Sequence, residues 1–213
     1  MIVPERSALR GLIEEKLRDS QPPATFDHAL PGGIAPEATA LVQQFYPASP
    51  VPAAVLIPLV DREDGLSVLL TQRSAQLKNH AGQISFPGGK VELTDDGPGA
   101  AALRETEEEI GLPRDYIQVA GYMEPHLILT GFWVTPVVGF VKPGFTLRLD
   151  EREVAATFEV PLAHILDEAN HLSRERRIGD ASVQVYDIPF GNHRIWGATA
   201  GMLMALYRMI RNA

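Results

Sequence analysis

The order of hydrophobic patterns along this chain predicts a mixed sheet packed between helices, an α/β or α+β fold. Three observations carry that prediction. Two strand-like runs, 53–60 and 66–72, flank a turn rich in acidic residues and glycine. A helix-like acidic stretch follows the glycine pair Gly88-Gly89, and an amphipathic segment at 195–210 closes the chain.

In chain order, residues 5–19 place Leu9, Leu12, Ile13 and Leu17 at helical spacing, which predicts a short amphipathic helix. Residues 21–52 hold seven prolines and read as an extended lead-in with a short helix at 36–45. Residues 1–50 are therefore expected to be a leader to one domain over 51–213, either covering its pocket or supplying a homodimer contact. The strands at 53–60 and 66–72 are joined by Asp61-Arg62-Glu63-Asp64-Gly65, a hairpin turn by composition. Gln83-Ile84-Ser85-Phe86 is strand-like, and the glycines after it let the backbone turn sharply and offer a carbonyl. The next helix starts at Asp96-Gly97-Pro98, with a capping side chain and a proline in its first turn. It buries Ala102, Thr106 and Ile110 and ends on Gly111 as a left-handed cap. Further strands are expected at 117–123, 132–141 and 184–188, and helices at 162–168 and 195–210, with Trp196 in the core. The final helix carries Met202, Ala205, Leu206 and Met209 along one side.

Composition narrows the class. A chain of 213 residues that is 45% hydrophobic suits one domain with a substantial core. A net charge of −8 argues against nonspecific nucleic-acid binding. The lack of cysteine removes disulfides, thiol nucleophiles and thiolate metal sites. The N-terminus has no apolar signal core, and no apolar run reaches the ~18–20 residues of a membrane span, so a cytoplasmic location with no membrane partner is expected.

The chemistry concentrates on the acidic helix. Glu105, Glu108 and Glu109 stand at i, i+3 and i+4 and share one face. Such charges ~5 Å apart repel by ~3 kcal/mol at an effective dielectric of ~20. With Arg104 as their only basic neighbour in the helix, they call for a cation, and oxygen-only ligands suit Mg²⁺ or Mn²⁺ better than zinc or copper. Acidic residues alone more often make a solvated face. Strand, glycine turn, loop and acidic helix in succession form a much narrower pattern.

That pattern resembles the Nudix box, Gly-x5-Glu-x7-Arg-Glu-U-x-Glu-Glu-x-Gly-U, with U aliphatic. The second half matches as Arg104-Glu105-Thr106-Glu107-Glu108-Glu109-Ile110-Gly111-Leu112, with Thr106 at an aliphatic position. Counted from Gly89, Asp95 stands where Glu is expected, and eight residues rather than seven precede Arg104. The loop is one residue longer, and the acidic role falls to either Asp95 or Asp96. Upstream, the string from Leu69 to Gly89, LLTQRSAQLKNHAGQISFPGG, is similar to the added signature of the coenzyme A pyrophosphatase branch. Gly131–Gly139, Glu153-Val154 with Phe158–Leu162, and Trp196–Gly201 also fit, so the likeness spans 50–210.

The resemblance implies a Nudix α/β/α sandwich and metal-assisted hydrolysis of a coenzyme A-like nucleoside diphosphate. It implies Glu105, Glu108 and Glu109 as metal ligands with the Gly89 carbonyl, Glu105 being either a third ligand or the base, and Arg104 orienting Glu105. Glu153 is the candidate carboxylate from a later loop, although Asp150-Glu151-Arg152-Glu153 also reads as an ordinary charged turn. Arg73, Lys78 and His80 are candidate substrate donors, and Phe86 and Trp133 are aromatics that stack on a base or fill the core. Two other readings stand beside this one: the same chemistry on ADP-ribose, NADH or a nucleoside triphosphate, and a non-catalytic binding module of the same fold.

Overall fold

The computed structural model describes residues 6–22, 50–128, 131–178 and 181–212. The short helix expected at 36–45 lies outside the described residues.

An eight-stranded mixed sheet is built around β1 (Val51–Arg62). This strand pairs antiparallel with β2 (Gly65–Arg73) and parallel with β7 (Phe132–Val141). Arg62 pairs with Gly65, so the expected five-residue turn tightens to Glu63-Asp64. The two-residue β3 (Ile84–Ser85) borders β2, and β4 (Gly88–Lys90) pairs with the start of β1. β5 (Ile117–Tyr122) and β6 (His126–Ile128) both pair with β7, and β8 (Val154–Pro161) pairs with β2. A separate three-stranded antiparallel sheet joins β9 (Leu172–Ile178), β10 (Ala181–Phe190) and β11 (His193–Trp196).

Side-chain alternation along β1 assigns the two faces. Ala54 and Leu56 meet Ala101 and Ala102 of helix α2 (Gly97–Ile110), while Val60 meets Ile110 and Leu112. On the opposite face, Ile57 and Leu59 join Leu9, Ile13 and Leu17 of α1 (Arg6–Leu17). The same cluster holds Leu162, Ile165 and Leu166 of α3 (Leu162–Leu166) and the apolar stripe of α4 (Gly197–Arg211). Helices on both faces of a mixed sheet make the α/β class predicted from the pattern.

Two helix boundaries and one helix cap differ from expectation. The final helix begins at Gly197 because 193–196 pair with β10 as a strand, and Trp196, at its N-terminus, is half-buried. The helix expected at 162–168 stops at Leu166, and a 3₁₀ turn follows at Glu168–Asn170. Asp96 precedes α2, but its side chain makes no cap bond; Pro98 in the first turn supplies the pre-set backbone. Among the described residues, no helix is long and apolar enough to cross a membrane.

Candidate active site

The glycine turn is held against β1 by backbone pairing of Val55 with Gly88 and Ala54 with Gly89. Gly88 has φ +151, and a Cβ there would lie 2.3 Å from the Ala54 carbonyl oxygen. At Gly89 a Cβ would stand 2.4 Å from the Glu105 carboxyl carbon. Gly88 must be glycine, for its φ and for the β1 backbone pressed against it, whereas a side chain at Gly89 would displace the Glu105 carboxylate.

Arg104 organises the helix side of the site. Its Nε and Nη2 donate to Asp95 at 2.9 Å each, and Nη2 also donates to the Lys90 carbonyl. Nη1 donates to Glu105 at 2.9 Å and to Glu108 at 3.2 Å. Five bonds match the five N–H groups of a guanidinium. The acidic role left open between two residues therefore falls to Asp95, as the partner of Arg104, while Asp96 is exposed. The Arg104 fork and the Glu92 N–H hold the Asp95 carboxyl down at about 2. Thr106, at the aliphatic position of the box, is fully buried, and its hydroxyl donates to the Ala102 carbonyl. That internal bond satisfies the hydroxyl within the helix.

Glu109 behaves differently from its neighbours. It is only 5% exposed, whereas the Glu108 side chain is 61% exposed. Burial pushes the Glu109 carboxyl up to about 8, against the N–H that Gly88 donates to it at 3.2 Å. Burial likewise raises Glu105, opposed by Arg104.

A later loop is docked onto the end of the same helix. Gly111 adopts φ +67 and its N–H donates to the Glu107 carbonyl, the expected left-handed cap. The Arg148 N–H then donates to the Ile110 carbonyl and the Asp150 N–H to that of Glu109, so this loop occupies two carbonyls at the end of the helix. This docking brings Glu153 near enough that its charge acts on both Glu105 and Glu109. The Glu153 carbonyl accepts the Ser74 N–H at 2.7 Å, which ties the loop to the end of β2.

Of the substrate candidates, Arg73 is the one whose charge acts on Glu109. A register shift at Gln72/Arg73 marks its position, and its charge lowers Glu109. Its Nε is buried without a hydrogen-bond partner. Lys78 and His80 lie exposed in the loop after β2, where the His80 ring bonds Gln83. Of the two uses expected for Phe86, stacking on a base or filling the core, the structure shows core filling: it is 3% exposed and belongs to the main core. Along 84–86 its side chain turns inward, and Trp133 is buried as well.

The donor chemistry fits a hard divalent cation: glutamate oxygens at one-turn spacing packed against a glycine turn, with one carboxyl buried at an energetic cost. Among the described residues, no three Asp, Glu or His side chains stand close enough to hold an ion in the arrangement seen. Glu105 and Glu108 turn to Arg104, and Glu109 turns to Gly88. All three nonetheless stand on one helical edge, at i, i+3 and i+4.

A model of the NUDIX domain matches residues 50–179. An Escherichia coli (strain K12) protein described as an uncharacterized Nudix hydrolase, NudL, is 47% identical over 160 residues, covering 72% of this chain and 80% of that protein. Among solved structures, the RenU Nudix hydrolase from M. smegmatis superposes with a TM-score of 0.53 at 19% identity, covering 77% of this chain and 88% of its own. DR0079 from Deinococcus radiodurans gives 0.50 at 14% identity, with 76% and 88% covered. These two structures show the fold. The family match spans more than half the chain, includes the glycine turn and the acidic helix, and is joined by a close enzyme relative; the chain belongs to the Nudix hydrolase family.

Proposed function

We propose that this Nudix hydrolase is a metal-dependent diphosphatase of coenzyme A or its derivatives, releasing 3′,5′-ADP and (acyl-)4′-phosphopantetheine. The observation that carries the reading is the joining of two signatures in one place. The segment resembling the coenzyme A branch, Leu69–Gly89, ends in the glycine turn whose Gly88 N–H bonds Glu109 of the box. Arg73, from the same segment, carries its charge to that carboxyl.

Glu108, Glu109 and the Gly89 carbonyl would hold Mg²⁺ or Mn²⁺, with Glu105 as a third ligand. When bound, the cation neutralises the diphosphate oxygens and acidifies the attacking water. Arg104 keeps Glu105 in place through its 2.9 Å bond. Glu153, on the docked loop, takes the proton from water. Arg73 offers a forked donor to a phosphate of the substrate. Water adds to phosphorus as the bridging P–O bond breaks, and the leaving phosphate carries away the electron pair.

Mass spectrometry of products from coenzyme A, with and without Mn²⁺, tests the reading against ADP-ribose, NADH and nucleoside triphosphates. Cation-dependent appearance of the two named products supports it, and much faster turnover of another substrate overturns it. Glu108→Gln is expected to remove most turnover, about 10-fold or more, with the fold intact, because one ligand charge is lost at an exposed position.

A further inference from the structure

We propose that Thr199 is a positioning residue through which the C-terminal helix holds the glycine turn of the site. The inference rests on the hydrolase reading above but concerns a different part of the chain. Thr199 lies in the first turn of α4, is 7% exposed, and is 115 residues from its hydrogen-bond partner. Its hydroxyl donates to the Ile84 carbonyl at 2.9 Å. A threonine in a helix commonly turns its hydroxyl back to its own helix; this one reaches across to β3.

The strand it reaches needs support. β3 is two residues long, lies at one end of the sheet order, and follows a loop that is exposed over 78–82. Each of its carbonyls accepts a threonine hydroxyl: Ser85 from Thr71 at 3.1 Å, and Ile84 from Thr199. One anchor comes from the neighbouring strand and the other from the helix beneath the opposite face of the sheet. Just beyond β3, Phe86 enters the core, the Pro87 carbonyl accepts the Leu56 N–H, and Gly88 donates to Glu109. The backbone from 84 to 89 is thus a short span whose far end touches the acidic helix. Its near end is held by the two-residue pairing with β2 and, from the helix side, by one buried hydroxyl on α4. Release of that end loosens the Gly88 bond to Glu109 and the placement of the Gly89 carbonyl.

The test compares Thr199→Val, which keeps the shape and removes the donor, with Thr199→Ser, which keeps the donor. Tyr207→Phe serves as a control, because it removes a different α4 hydrogen bond, to Glu168. Amide hydrogen exchange over 84–90 is read on the metal-free full chain. Mn²⁺ affinity and kcat are read at a temperature where every variant is folded. Thr199→Val is expected to speed exchange at Gly88 and to weaken Mn²⁺ affinity and kcat by roughly 10-fold, the scale of lost outer-shell support. Thr199→Ser is expected to restore all three, and Tyr207→Phe to leave them unchanged. Unaltered exchange in Thr199→Val, or the same losses in Tyr207→Phe, overturns the proposal. A wild-type chain that neither binds Mn²⁺ nor turns over substrate would instead sink the hydrolase reading, while the exchange measurement still decides the role of Thr199.

Discussion

At the scale of single residues, Arg104 has no spare donor: one face of its fork goes to Asp95 and the other to Glu105 and Glu108. Lysine keeps the charge but cannot reproduce a planar five-donor fork. Arg104→Lys is expected to lose about 10-fold or more in kcat and to lower the melting temperature, checked by steady-state kinetics beside thermal denaturation. Asp95 makes a prediction in acid. Its folded carboxyl titrates at about 2, below the ordinary carboxylate value near ~3.9. The stability it contributes is therefore present above the unfolded value and lost as pH falls through the folded one. Asp95→Asn should melt below wild type at pH 7, with the gap closing as the buffer is taken towards pH 2; a constant gap would contradict the ion pair. The Asp95 role became visible only in three dimensions, because the loop is one residue longer than the family pattern and spacing could not choose between two adjacent aspartates. For Phe86 the sequence left two uses open, stacking on a base or filling the core, and only the fold shows that the residue just after β3 turns into the core.

At the scale of elements, the left-handed cap at Gly111 does two jobs that substitutions can separate. Alanine there must adopt φ +67, and its Cβ would also meet Arg148 N and O at 2.9 Å. Gly144 has a comparably positive φ of +93 but open space around it. Both Gly→Ala changes should lose roughly 1–2 kcal/mol of stability from the backbone alone. Only Gly111→Ala should also lower kcat, because it lifts the loop that carries Glu153; equal kinetics in the two variants would show that docking this loop does not matter to turnover. The helix that ends at Gly111 was legible in sequence from its proline start, its buried Ala102, Thr106 and Ile110, and its glycine stop. β6, β8 and β9 were not read as strands. β6 is three residues long, β8 alternates weakly, and β9 carries arginines at 174, 176 and 177, so none shows a clear apolar period. The start of α4 was placed early for the opposite reason: Ile195 and Trp196 extend the helical apolar pattern, but pairing with β10 takes them into a strand.

At the scale of the whole molecule, α1 lies before the span matched by the family model, yet it shares the core of that span. Leu9, Ile13 and Leu17 are buried with Ile57, Leu59 and Phe140, on the sheet face opposite α2. Arg10 stacks over Phe140 at 4.2 Å and donates to Gln118, while Ser20 accepts the Tyr122 N–H. Such contacts make α1 a structural part of the sandwich rather than an appendage, and they separate its effects from those of the site. Ile13 is fully buried, so Ile13→Ala should cost about 2–5 kcal/mol by lost transfer and cavity formation. For a chain of this length each 1 kcal/mol lowers the melting temperature by about 2–4 °C. Calorimetry is expected to show one cooperative transition moved down in temperature, with turnover and Mn²⁺ response at 20 °C unchanged, because the acidic helix packs on the other face. Two transitions, with the sheet still melting at the wild-type temperature, would mean that α1 unfolds on its own and that the core it shares is not cooperative.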